Sequence, residues 1–244
     1  MTAPGVLRDE TQTGYALALG FELVAPSVRS VAAGRLAALV EEAGGHLLTG
    51  FLGTGFVLDA LSDHGRHVLA TRVVRADTYP GWGYEVRQGA TTIWERWNGW
   101  TPEDGFADPG MNSLNHAALG SVADWLHRTV AGLAPAEAGY ATMLVRPRPG
   151  VGFAWARATH DSAHGHHAVA WTLDGAVLEL TVEAPPNTAA RILLPGAARD
   201  VVVDGHAAPA RRPARDAPSG ELVRRFDLPW GRHVVQATLG EATR

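Results

Sequence analysis

Cysteine is missing from all 244 residues. That absence excludes disulfides, thiolate metal sites and cysteine nucleophiles. Basic residues are not in excess: 21 Lys and Arg stand against 25 Asp and Glu, giving a net charge of −4 and a pI near 6.2. Proteins that hold phosphate backbones carry a strongly basic face, so nucleic acid is not an expected partner. No apolar stretch approaches the roughly 20 residues of a membrane span. The N-terminal stretch MTAPGVLRDETQTGY has no apolar core of the signal-peptide kind. No membrane partner is therefore expected, and the expected location is cytoplasmic. What remains is globular: 46% of residues are apolar and only 19% charged, in a chain long enough for one large domain or two smaller ones.

Two hydrophobic periods divide the chain. In the first half apolar residues recur at three- and four-residue spacing, which predicts helices over Tyr15–Val24, Val28–Val40, Phe56–Leu61 and Val68–Val74. The longest is expected over Ser113–Leu133, with Leu114, Ala118, Val122, Trp125, Thr129 and Leu133 on one stripe and Ser113 as its cap. Short turns between such helices imply antiparallel hairpins. From Tyr140 onward the period becomes two. Leu178, Leu180 and Val182 share one face of a strand, Glu179, Thr181 and Glu183 the other, and Asp174-Gly175 marks a two-residue hairpin. About seven short strands with intervening Pro/Gly/Asn turns, Pro185-Pro186-Asn187 among them, predict a β-sandwich. The expected boundary gives 1–135 to the helices and 136–244 to the strands.

Between the helical segments lies the chemically richest stretch. Three of the eight tryptophans fall within Trp94–Trp100, in the run GATTIWERWNGWT, and Glu95 sits among them. Glycines at 81, 83, 89, 99, 105 and 110 make it read as a long structured loop, where function concentrates. Indole faces pack against the C–H faces of sugar rings, while carboxylates hold their hydroxyls. Trp82, Trp94 and Trp97 are candidate walls of such a site. Glycosidases need two carboxyl groups, one acid and one base or nucleophile, and Glu95 is a candidate for one of them. A tryptophan plug at the end of a helical bundle, with Glu95-Arg96 as a surface pair, is the non-catalytic alternative. Glu85, beside the aromatic run, reads as a surface charge on the loop.

Five segments in order, TQTGYALAL, GGHLLTGFLGT, YPGWGYEVRQGATTIWERWNGW, MNSLNHAALGSVADWLHR and PPNTAARILLP, resemble the C-terminal part of the bacterial and fungal α-L-rhamnosidases with a six-hairpin barrel. The resemblance runs almost from end to end, and GATTIWERW is its most specific segment. It implies the C-terminal part of an (α/α)6 barrel followed by an antiparallel β-sandwich. It implies inverting hydrolysis of terminal α-L-rhamnosides, with Glu95 as general base and His116 in contact with rhamnose. An imidazole suits sugar hydroxyls because it donates and accepts. The family's general acid lies upstream of the first matching segment. The expectation is therefore a portion that carries the base without the acid and is inactive alone. It would be completed by a separately encoded N-terminal barrel half, or survive as a non-catalytic remnant.

Other constellations carry less. His160, His164, His166 and His167 fall close together, but without acidic partners at the spacing of a metal site. GFLGTG at Gly50–Gly55 lacks the lysine of a phosphate loop. Arg211, Arg212 and Arg215 are mixed with Pro and Asp in a short run. No metal and no cofactor is expected.

Overall fold

The computed structural model describes residues 3–208, 214–215 and 221–240. Arg211 and Arg212 lie outside the described residues. The chain forms two compact units, Met1–Ala123 and Asp124–Arg244.

The first unit is helical. Helices α1 (Gln12–Gly20), α2 (Arg29–Glu42), α3 (Phe51–Asp63) and α4 (His67–Arg75) form at the four expected segments, although α1 ends at Gly20 rather than Val24 and α3 starts at Phe51 rather than Phe56. Thr11 caps α1 by accepting the Gly14 N–H at 3.0 Å. Gly44 and Gly45, both at positive φ, turn the chain after α2. Glycine also lets α1 and α3 approach: a Cβ on Gly53 would stand 2.7 Å from Thr13 Oγ1. Between the helices, the buried Gln12 amide donates to Leu39 O and His46 O and accepts from the Leu48 N–H. One side chain thus replaces the backbone ladder that the irregular stretch 46–48 lacks.

A short fifth helix, α5 (Trp82–Arg87), lies inside the stretch read as loop. The single helix expected over Ser113–Leu133 does not form. Ser113 to Ala117 are non-helical, Ala118–Gly120 is a 3-10 turn, α6 is only Ser121–Trp125, and Leu126–Ala131 continues as a π-helix. The physical reason is that residues 113–116 spend their backbone groups on the loop carrying Glu95. No helix among the described residues is long and apolar enough to cross a membrane.

Strands β1 (Trp100–Thr101) and β2 (Gly105–Phe106) form a small hairpin in the first unit. The second unit holds β3 (Leu133–Pro135), β4 (Thr142–Val145), β5 (Trp155–Ser162), β6 (Gly165–Asp174), β7 (Val177–Pro195), β8 (Arg199–Val203), β9 (His206–Ala207), β10 (Ala214–Arg215) and β11 (Leu222–Thr238). They make one mixed sheet. Two long strands, β7 and β11, organise it. The first half of β7 pairs with β6, the second half with β4, and β11 runs antiparallel along both halves.

Two sequence expectations are corrected here. Pro185-Pro186-Asn187 is not a turn between strands. The ladder resumes across it, with Ala184 opposite Gly231 and Ala189 opposite Pro229. Prolines, which cannot donate to a ladder, are tolerated at such a bulge. Nor is the sheet wholly antiparallel, because β4 pairs parallel to β7. The β5–β6 hairpin lies between them in sequence and supplies the long connection that parallel neighbours require.

The Asp174-Gly175 hairpin forms as expected, and Leu178, Leu180 and Val182 are buried. Beneath them Trp171 donates its indole N–H to Val130 O at 2.9 Å.

Candidate active site

Glu95 and His116 come from two irregular segments that are bonded to each other. The Glu95 N–H donates to Ser113 O at 2.9 Å, and Ser113 N–H donates back to Glu95 Oε2 at 2.8 Å. Two residues before Glu95, Ile93 O accepts the His116 N–H at 2.8 Å. The Thr92 hydroxyl donates to Leu114 O. Four bonds thus lace 92–95 to 113–116, the two segments that carry the carboxylate and the imidazole picked out in the sequence. Ser113 caps no helix; its hydroxyl accepts the Asn115 N–H instead. His116 Nδ1 accepts the Ala118 N–H at 3.3 Å. That bond assigns the neutral tautomer with its proton on Nε2. The His116 ring lies 5.8 Å from that of Phe51, at the start of α3. Both Glu95 and His116 are half-buried.

The tryptophans stand around this loop pair as buried packing. Trp82 and Trp97 meet edge to face at 5.1 Å. Their indole N–H groups are spent on the main chain: Trp82 donates to Leu119 O at 2.8 Å and Trp97 to Thr49 O at 3.1 Å. Trp94 is equally buried and lies against Gly99, where a Cβ would stand 3.3 Å from its ring. Asn112 donates to Gly99 O at 2.9 Å. What Trp82 and Trp97 have left for a ligand is an edge or a face, not a hydrogen-bond donor.

Glu85 corrects the reading of a surface charge. It is 2% exposed, on α5, with the Trp94 N–H near its carboxyl. Its Oε1 has no hydrogen-bond partner. Burial pushes its pKa up to about 7, against the smaller opposing effect of that amide. A sequence signal existed. Glu85 stands three residues after Trp82, so on a helix the two share a face, and that face is buried.

Three of the four clustered histidines have separate side-chain partners. His160 stacks on Tyr140 at 4.2 Å, His166 pairs with Asp161 at 2.7 Å, and His167 is fully buried against the Ser162 hydroxyl. Among the described residues no group of three His, Asp or Glu is placed to hold a metal.

Comparison with known proteins yields consistent matches. The family model for the bacterial alpha-L-rhamnosidase 6 hairpin glycosidase domain matches residues 1–130. The model for the bacterial alpha-L-rhamnosidase C-terminal domain matches residues 132–208. An alpha-L-rhamnosidase of Streptomyces avermitilis is 42% identical over 206 residues, 84% of this chain and 20% of the relative. The crystal structure of a Streptomyces avermitilis alpha-L-rhamnosidase complexed with L-rhamnose superposes with a TM-score of 0.85 at 40% identity, covering 94% of this chain and 22% of that one. The native Aspergillus terreus enzyme superposes with a TM-score of 0.80 at 33% identity, covering 97% and 25%. The chain spans about a fifth of the length of the curated relatives it matches.

Proposed function

The chain belongs to the bacterial α-L-rhamnosidase family, and from that premise we propose that it contributes the general-base side of an inverting α-L-rhamnosidase site. Residues 1–135 are then the C-terminal part of an (α/α)6 barrel and 136–244 a β-sandwich domain. The observation that carries the reading is the lacing of Glu95 to Ser113 and of Ile93 to His116. It holds a carboxylate and an imidazole on adjoining backbone without help from any regular element.

In the proposed reaction Glu95 takes a proton from water through the oxygen not engaged by Ser113. The water oxygen bonds to the anomeric carbon as the glycosidic C–O bond breaks on the opposite face. A second carboxyl, about 6.5–9.5 Å away in inverting enzymes, gives its proton to the leaving oxygen. That acid is assigned to a segment outside residues 1–244, as the family resemblance implies. His116 donates from Nε2 to a rhamnose hydroxyl. Trp82, Trp94 and Trp97 shape the pocket with ring edges.

Partly covered apolar side chains support a completing partner. Leu23, Leu48 and Leu52, in or beside the helices of the first unit, are exposed by 69% or more. The remaining hairpins of the barrel would cover such residues, whether they stand in the same polypeptide or in a separately encoded half.

The test is hydrolysis of an aryl α-L-rhamnoside by this chain, alone and mixed with the complementary N-terminal region of the Streptomyces avermitilis relative. Alone, the chain should fall about 10²-fold or more below a full-length relative, the contribution of a missing acid. Complemented, it should release β-L-rhamnose first, and Glu95→Gln should abolish that release. Full activity of the chain alone would overturn the division of labour. Complemented activity untouched by Glu95→Gln would overturn the base.

A further inference from the structure

The loop that joins β3 to β4 in the second unit carries a tyrosine where a turn would ordinarily use glycine or asparagine. Pro135 and Met143 are partners across the hairpin. The Ala136 and Glu137 N–H groups both donate to Thr142 O, at 2.9 and 3.2 Å, and Tyr140 N–H donates to Glu137 O at 3.1 Å. The loop is thus held by its own main chain. Gly139 and Tyr140 follow each other in the left-handed region, at φ +66° and +64°. Glycine adopts that conformation freely, but an aromatic residue is strained there. Asparagine would make the turn at lower cost, so the turn does not account for the ring. Ring contacts offset the strain: Tyr140 stacks on His160 at 4.2 Å and meets His167 at 5.2 Å. Those two histidines are partners across β5 and β6. Covering the fully buried His167 is one task of the tyrosine.

The ring has surface to spare for a second task. An open cleft of about 500 Å³ is lined by residues 135–140 and by His160, a volume that accepts a sugar ring. His160 takes one face of the phenol ring, yet Tyr140 is half-exposed. Its other face and its edge are what it offers to the cleft. Glu137 is exposed and His160 half-exposed on the same lining. A Cβ on Gly139 would meet open space. Among the described residues no Lys or Arg lines the cleft, so nothing there balances an anionic ligand.

We propose that this cleft is a second, non-catalytic carbohydrate site that takes a neutral pyranose: the C–H face of the sugar packs on Tyr140, and its hydroxyls bond the Glu137 carboxylate and the His160 imidazole. Burial raises the pKa of the Tyr140 phenol, so its hydroxyl keeps a proton to donate. Glu137 is the single carboxyl of the lining. The cleft therefore lacks the pair of carboxyls that glycoside cleavage requires, and it binds without reacting. One aromatic wall and two polar groups in an open cleft support weak affinity, with Kd about 1–10 mM. The assignment of Glu95 and His116 plays no part in this inference.

The experiment titrates the isotopically labelled whole chain with L-rhamnose, D-glucose and D-galacturonate, read at backbone amides. Both neutral sugars should shift the amides of 137–141 and 159–161 along one saturating curve. D-galacturonate should bind about fivefold more weakly or worse, because its carboxylate meets Glu137 and no cation. Tyr140→Asn suits the left-handed backbone and removes the ring; it should weaken L-rhamnose at these amides about tenfold or more. Glu137→Ala, on an exposed side chain, should weaken it about fivefold. Shifts at 93–95 and 113–116 report separately on the proposed rhamnoside site and should match wild type in both variants, so failure at one site is read without the other. No shift at 137–141 with either neutral sugar up to about 50 mM overturns the proposal and leaves Tyr140 as a cover for His167. Equal binding of D-galacturonate overturns the ligand class. Should Tyr140→Asn not fold, Glu137→Ala decides: affinity at these amides equal to wild type overturns the site.

Discussion

The pH dependence of the helical unit can be worked from Glu85. Its pKa is about 7 when folded against 4.5 for an ordinary glutamate. Between those values the unfolded chain has released a proton that the folded chain still holds. Unfolding is favoured by that release, so stability is full below about pH 4.5, falls as pH rises to about 7, and then levels. At roughly 1.36 kcal/mol per pH unit, the loss across the window is about 3 kcal/mol. That is a large part of the ~5–15 kcal/mol net stability of a typical domain. Glutamine at position 85 removes the proton and leaves the shape. Its extra N–H₂ donor adds a cost, but one that does not vary with pH. Urea unfolding of wild type and Glu85→Gln at pH 5, 6, 7 and 8, followed by the fluorescence of Trp82, Trp94, Trp97 and Trp100, isolates the residue, because every other titrating group cancels in the difference. Glu85→Gln should gain on wild type by about 2–3 kcal/mol from pH 5 to pH 8. A difference that stays constant to within about 0.5 kcal/mol would mean that Glu85 is ionised throughout, and the account of its burial would be wrong.

Three further outcomes are expected. His167 behaves oppositely: burial, reinforced by the neighbouring histidines, lowers its pKa, so the β unit should lose amide protection as pH falls below about 6.5, where the unfolded imidazole takes a proton first. His167→Gln should flatten that loss in hydrogen exchange. Gly132→Ala should destabilise the β unit by about 3 kcal/mol or more, because Gly132 sits at φ +90° and a Cβ would lie 2.3 Å from Pro147 N. Gly139→Ala, at φ +66° with open space around it, is the control and should cost only about 1–2 kcal/mol in thermal unfolding. Trp97→Phe should cost the helical unit about 1–3 kcal/mol in urea titration, since the Thr49 carbonyl would lose the indole N–H and keep only the longer bond from the Thr54 hydroxyl at 3.4 Å.

The residues that sequence reasoning located best are those whose neighbours in space are also neighbours in the chain. α1 to α4 follow from apolar spacing, and the β6–β7 hairpin follows from Asp174-Gly175. The failures are tertiary. The apolar stripe from Leu114 to Leu133 is real in its second half, where Trp125, Thr129 and Leu133 are buried, but its first turn is claimed by bonds to residues 92–95 that lie some twenty positions away. No local propensity reports such a competitor. Pro185-Pro186-Asn187 carries the signature of a turn, yet a bulge in a long strand uses the same residues for the same reason, a missing donor and a positive φ at Asn187. Family resemblance supplied the roles of Glu95 and His116. Side-chain chemistry supplied only the idea that indoles and a carboxylate suit a sugar.

The tryptophans around Glu95 have a different physical meaning once their partners are known. A site made of loops lacks the ladder that would fix its backbone, and ordering each residue costs roughly 1–2 kcal/mol. Here side chains take over that task. Trp82 bonds Leu119 O, Trp97 bonds Thr49 O, Tyr84 bonds Trp100 O, and Asn112 bonds Gly99 O. Each is a long-range contact to a main-chain carbonyl. The indoles then do two things at once. Their area supplies apolar burial, and their N–H groups satisfy carbonyls that would otherwise need water. Burial away from water is also what raises the pKa of Glu85. The catalytic reading asks for a carboxylate held to a fraction of an ångström on an irregular loop. An aromatic packing in which Trp82 and Trp97 bond only backbone is a way of meeting that demand.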